Sequence, residues 1–138
     1  MRKYYKLIPH TADIAMVVEA KSLEKLYSNS ALALFDILLG VDNIKQCMEK
    51  ELLIGGVDRD DLLIRFLNEL IYLLSVEKIA FSDFKITKLQ DRELSCIAKG
   101  ERLNSLEGIK NEIKAATYCD FKIEEDEDGY KARIIFDV

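Results

Sequence analysis

Residues 58–78 constrain this chain more than any other stretch. Leu62, Leu63, Ile64, Phe66, Leu67, Leu70, Ile71, Leu73 and Leu74 recur at helical spacing, but their arc is too wide for a single apolar stripe. A helix greasy around so much of its circumference has to be covered on more than one side. It therefore belongs in a layer between strands rather than on an open face. Asp58, Asp60 and Asp61 open it, where negative side chains meet the positive end of the helix dipole. A second helix is read from Leu23, Leu26, Tyr27, Ser30, Leu34, Phe35 and Leu38, with Ser22 as its N-cap and Gly40 as its stop.

The remainder reads as strands. Residues 3–8 are apolar-rich and end at Pro9, which cannot donate a ladder hydrogen bond. A loop through His10 and Asp13 leads to a second strand over residues 14–20. Residues 43–54 form a strand with a charged, solvated middle at Glu49-Lys50-Glu51, broken by Gly55-Gly56. Residues 81–88 and 93–100 flank Gln90-Asp91-Arg92 as a hairpin, and 104–111 is a loop. Residues 113–123 and 130–137 flank an acidic turn over 124–128, with Asp128-Gly129 as the favoured hairpin dipeptide. In the last strand Tyr130, Ala132, Ile134 and Phe136 face one way and Lys131, Arg133, Ile135 and Asp137 the other. The expectation is one α+β domain over residues 1–138. Two long helices pack on mostly antiparallel strands, layered β/α/β, in the chain order ββαβαββββ.

With 138 residues, 49% of them apolar, the chain can bury a core without staples. Asp and Glu outnumber Lys and Arg by 25 to 20, a net charge of −5. An acidic domain has no long-range attraction for phosphate backbones, so any RNA connection is expected to run through a protein partner. No apolar run approaches the roughly 20 residues that span a bilayer, and residues 1–6 lack a signal-peptide core. The three cysteines Cys47, Cys96 and Cys119 are scattered and without CxxC spacing, which argues against zinc or a disulfide framework and for a reducing cytoplasm.

Two carboxylates stand out. Asp13 opens the second strand and Asp137 closes the last one, next to Val138. Carboxylates from two segments, with a main-chain oxygen or terminal carboxylate of Val138 as third ligand, can hold one hard cation. On spacing alone, an isolated Asp at the start of a strand more often just satisfies loop amides. His10 is the single histidine; it could ligate, act as a base or hydrogen-bond within its loop, and one histidine tilts any metal towards oxygen chemistry. Lys114, Tyr118 and Lys122 alternate along one expected strand face, where they could approach an anion or lie as a solvated row. Gly55-Gly56 before a helix lacks a nucleotide-binding pattern, and the following aspartates would repel phosphate. No Ser/His/Asp or Cys/His grouping is present.

Four stretches carry a resemblance over the whole chain: HTADI at 10–14, SLEKLYSNSALALFDIL at 22–38, EIKAATYCDFKIE at 112–124 and YKARIIFDV at 130–138. Together they resemble the archease family, with the first and last the most specific. The resemblance implies an accessory protein rather than an enzyme. Its partner would be the RNA-splicing ligase that joins tRNA halves with GTP and a divalent metal, whose guanylylation and repeated turnover it promotes. It implies a calcium-type site at Asp13, Asp137 and Val138, with His10, Lys114 and Tyr118 in support. The chain departs from the family where Thr117-Tyr118-Cys119 replaces the common TYH, and in residues 104–111, which lack a histidine near Glu107. Two rivals are a metal-dependent phosphoester hydrolase centred on Asp13, Asp137 and His10, and an adaptor for a tRNA-modifying enzyme such as a methyltransferase. Oligomeric state is not legible in the sequence.

Overall fold

The structure, a computed structural model, describes residues 4–8 and 13–138. Strands β1 (Tyr5–Ile8) and β2 (Ile14–Ala20) precede helix α1 (Leu23–Leu38), and a short 3-10 turn, Val41–Asn43, leads to β3 (Met48–Gly55). Helix α2 (Arg59–Glu77) is followed by β4 (Ile79–Gln90), β5 (Glu93–Arg102), β6 (Ala115–Ala116), β7 (Ile123–Asp126) and β8 (Gly129–Asp137). All pairings are antiparallel. Sheet A runs β1-β2-β8-β6, with β7 also paired to β8, and sheet B runs β3-β5-β4. Both helices contact both sheets, so they form the middle layer that the broad apolar arc of α2 requires.

Local chemistry sets the helix limits. The Ser22 hydroxyl accepts the Lys25 amide at 3.1 Å, and Gly40, at φ +82°, returns its N–H to Phe35 and Asp36. The Asp58 carboxylate accepts the Asp61 amide at 2.8 Å to cap α2, and Lys78 ends that helix in the left-handed region at φ 58°. Between the layers Phe35, Phe66, Phe81 and Phe84 form one aromatic cluster, with neighbouring centroids 5.9–6.2 Å apart. Phe81 and Phe84 are three apart yet both buried. A register shift between Phe81 and Asp83 re-phases the alternation of β4. Beside it a Cβ on Gly100 would fall 1.8 Å from the Ala80 carbonyl oxygen, so only glycine fits that crossing.

The α+β class and the two helices agree with the sequence reading. Three local expectations need correction. The strand expected over 43–54 starts only at Met48, because Gly40 feeds a 3-10 turn. The single strand expected over 113–123 is two, β6 and β7, so sheets A and B hold eight strands and the order ends in five. Residues 117–122 leave the sheet through a turn in which Asp120 adopts φ 51°. Third, Glu124, Glu125 and Asp126 lie in β7 rather than in a turn; the hairpin turns on Glu127-Asp128, and Gly129 begins β8. Gly129, at φ +132°, lies where a Cβ would meet the Ala20 carbonyl oxygen at 2.4 Å.

Candidate functional site

β8 is the central strand of sheet A, and its C-terminal end is held from both sides. On one side Ile14 pairs with Phe136, which makes Asp13 and Asp137 the next positions of the two strands. On the other side Ala115 pairs with Asp137, and the Lys114 N–H donates to the Asp137 carbonyl at 2.8 Å. A strand end gripped by two ladders does not fray as an ordinary terminus does. Met16, Val18, Ala132, Ile134 and Phe136 belong to the core cluster, so alternation puts Asp13 and Asp137 on the outer face. Asp137 and Val138 are exposed and Asp13 is half-buried.

The register thus brings two of the candidate residues together, with Val138 adjoining. Their donors are hard oxygens, the kind that calcium and magnesium take and that zinc rarely takes alone. Among the described residues no group of three or more His, Cys, Asp or Glu is arranged to hold a metal. A third ligand would have to come from the main chain, from water or from a partner. His10 lies outside the described residues.

The expected row of Lys114, Tyr118 and Lys122 is not a row. Lys114 precedes β6, Tyr118 lies in the segment between strands, and Lys122 immediately precedes β7. The Tyr118 hydroxyl turns to α2 and donates to Asp61 Oδ1 at 2.5 Å. Asp61 Oδ2 accepts the Val57 amide at 2.9 Å and Arg65 Nε at 2.8 Å. Asp61 is only 8% exposed, so its charge needs these partners. The Tyr118 hydroxyl first, then the Val57 N–H and Arg65, hold the Asp61 carboxyl below the usual carboxylate range against the opposing effect of burial. Burial, then Asp61, pushes the Tyr118 phenol up.

This junction is the site feature the sequence did not reveal. Three aspartates that read as one dipole-matched cluster have three tasks: Asp58 caps α2, Asp60 accepts the Ile123 amide of β7 at 3.0 Å, and Asp61 binds Tyr118. The Asp61/Arg65 spacing hinted at an i,i+4 pair, but nothing local announced Tyr118. One turn further along, Asn68 clasps the open edge of β6, donating to the Ala116 carbonyl at 3.1 Å and accepting its N–H at 2.7 Å.

A separate groove of about 1290 Å³ lies at the other end of β2 and β8, bordered by Tyr5, Lys6, Ala20, Asn29 and Tyr130. It does not include the carboxylates. Among the described residues no helix is long and apolar enough to cross a membrane.

Comparison with known proteins matches residues 5–138 to the Archease protein family (MTH1598/TM1083). Protein archease of Methanosarcina mazei is 30% identical over 99% of this chain and 97% of its own length. That of Pyrococcus furiosus is 36% identical over 94% of each. The solution structure of Methanobacterium thermoautotrophicum protein 1598 superposes with a TM-score of 0.84 at 29% identity, covering 98% of this chain and 99% of that one. A crystal structure from Thermotoga maritima, described as an archease and possible chaperone, has a TM-score of 0.64 at 28% identity over 100% and 98% of the two chains. On the full-length family match and on relatives above 30% identity that span nearly all of both chains, this chain belongs to the archease family.

Proposed function

We propose that the chain is a metal-binding accessory protein of the cytoplasm that activates an RNA-splicing ligase, promoting its guanylylation and repeated turnover. In this reading it is an activator and not an enzyme, and RNA reaches it only through the partner. Family membership supports the reading, together with one observation: Asp13 and Asp137 follow the last β2–β8 pair, Ile14 with Phe136, on the outer face. Those two carboxylates and a main-chain oxygen of Val138 would hold a divalent cation, calcium by the chemistry of the donors.

When bound, the ion supplies positive charge that balances two carboxylates which otherwise repel. The protein's part is to hold them in place. The ladder to β6 fixes Asp137, and the ladder to β8 fixes the start of β2 beside Asp13. Lys114 contributes through its main chain, whose N–H binds the Asp137 carbonyl.

The test is RNA ligation with ligase substoichiometric to its substrate, with and without this protein. Asp13→Ala and Asp137→Ala should each abolish stimulation and calcium-dependent thermal stabilisation, while the metal-free fold is unchanged because both positions lie at the ends of their strands. Full stimulation by either variant would refute the site. A second reading, an adaptor or chaperone for a tRNA-modifying enzyme, draws on the description of the Thermotoga relative as a possible chaperone. That reading keeps the metal site but gives no response in the ligation assay. Turnover of a phosphoester by the protein alone would favour the hydrolase instead.

A further inference from the structure

The pairing of sheet A sorts its outer face into cross-strand rows. Glu124, Lys131 and Glu19 share one row, in which Lys131 Nζ lies 3.6 Å from Glu19. In the next, Lys6 pairs with Val17 and Val17 with Arg133, while Ile123 opposite Ala132 brings Lys122 beside Arg133. That row holds cations and no carboxylate. Beyond it Ile135 and Ala15 are buried, and Asp13 and Asp137 follow.

Like charges opposed on neighbouring strands repel. Among the described residues neither Lys122 nor Arg133 has an ion-pair partner. Both line a groove of about 620 Å³ at the free edge of β7, and Arg59 of α2 lines it too. Three cations from three different segments thus line one concavity. Arg59 is held loosely, 3.5 Å from Glu125, with both side chains more than a third exposed.

We propose that this groove, between the start of α2 and the β7–β8 hairpin, binds a phosphate group through Arg59, Lys122 and Arg133. A carboxylate has two oxygens to offer, whereas a phosphate has enough for two guanidinium forks and an ammonium together. Asp120, Glu124 and Glu125 also border the groove, and Asp60 accepts the Ile123 amide beside it, so it has no positive net field to draw in a long polyanion. That balance favours a single compact dianion touching the cations directly over a nucleic-acid strand. The site is independent of the proposed cation site, because Ile135 and Ala15 separate the two rows.

The experiment is an amide NMR titration of the full chain with inorganic phosphate at fixed ionic strength. Saturable shifts are expected at Ile123, Glu124 and Arg133. Lys122→Gln and Arg133→Gln should each raise the half-saturating concentration about tenfold. Lys88→Gln, which removes a lysine paired with Glu93 in sheet B, should leave it unchanged. Both groove variants should keep or raise the phosphate-free thermal midpoint, since each removes a repulsion, so weaker binding will not reflect unfolding. Adenosine 5′-monophosphate in a parallel arm separates the source: equal or tighter binding assigns a phosphate ester, and binding of inorganic phosphate alone assigns the free ion. Absence of saturable shifts, identical titrations of wild type and both variants, or equal affinity for a tetraglutamate peptide would overturn the proposal.

Discussion

Sheet B is assembled from chain neighbours and sheet A from both ends of the chain. β4 and β5 are joined by the two-residue turn Asp91-Arg92 and carry β3 on the far side of β5. Sheet A gathers β1 and β2 with β6, β7 and β8, which come more than ninety residues later. The two sheets are also closed differently. Strand pairing and the packing of Phe81 and Phe84 hold sheet B, whereas the edge of sheet A beside α2 is finished by side chains of that helix: Asp60 on β7, Asp61 on Tyr118 and Asn68 on β6. Among the described residues, the candidate metal ligands Asp13, Asp137 and Val138 all lie at strand ends of sheet A. Function sits where distant segments are brought into register and where polar contacts, rather than burial alone, decide the geometry.

The largest test of this contrast is in the apolar layer. Phe35 is fully buried, with its ring centroid 6.0 Å from both Phe81, which it meets edge-on, and Phe84, on which it stacks. Phe35→Ala should cost about 3–5 kcal/mol, read as a lower urea midpoint with an unchanged slope. A loss below about 1 kcal/mol would mean that the aromatic cluster does not hold sheet B to the helices. Asn68→Ala comes next. It strips both hydrogen bonds from Ala116, which is 4% exposed, and should cost about 1–3 kcal/mol. Hydrogen exchange at Ala116 and Lys114 should rise while β4 and β5 stay protected. A uniform rise across both sheets would erase the distinction.

What could be read from the sequence follows the same division. The Ser22 cap, the Gly40 stop, and the acidic start and wide arc of α2 are local signals, and each marks its element correctly. Strand alternation put Tyr130, Ala132, Ile134 and Phe136 on one face of β8; three of them are buried and Tyr130 packs against the core. The break between β6 and β7 was not legible, because residues 113–123 have strand composition throughout. Tertiary demands override it there: Tyr118 leaves the sheet to satisfy a buried carboxylate 57 positions earlier in the chain. Lys122 accordingly joins Arg133 and Arg59 instead of Lys114. The juxtaposition of Asp13 with Asp137 depends on β2 and β8 being neighbours, which is a fact of sheet order and not of spacing.

The smallest expected effect is also the most specific one. Tyr118→Phe keeps the ring and removes one hydrogen bond to Asp61. Because Tyr118 is 56% exposed, water competes for its hydroxyl, and the loss at neutral pH should be about 1 kcal/mol. Asp61 ionises at lower pH when folded than when unfolded. Its contribution is therefore complete above the unfolded carboxylate range, near pH 4, and fades as pH falls through the folded value. Tyr118 has the opposite sign. Its raised folded value makes its contribution complete below about pH 10 and lost as pH rises through that value. Urea midpoints of wild type and Tyr118→Phe should thus differ by a constant amount between about pH 5 and pH 9 and converge at both extremes. Convergence at the acid end will be partial, since Arg65 and the Val57 amide still favour the Asp61 carboxylate. A difference that stayed constant at both extremes would mean that the phenol and the carboxylate do not meet in solution, and the strut joining residues 117–122 to α2 would have to be abandoned.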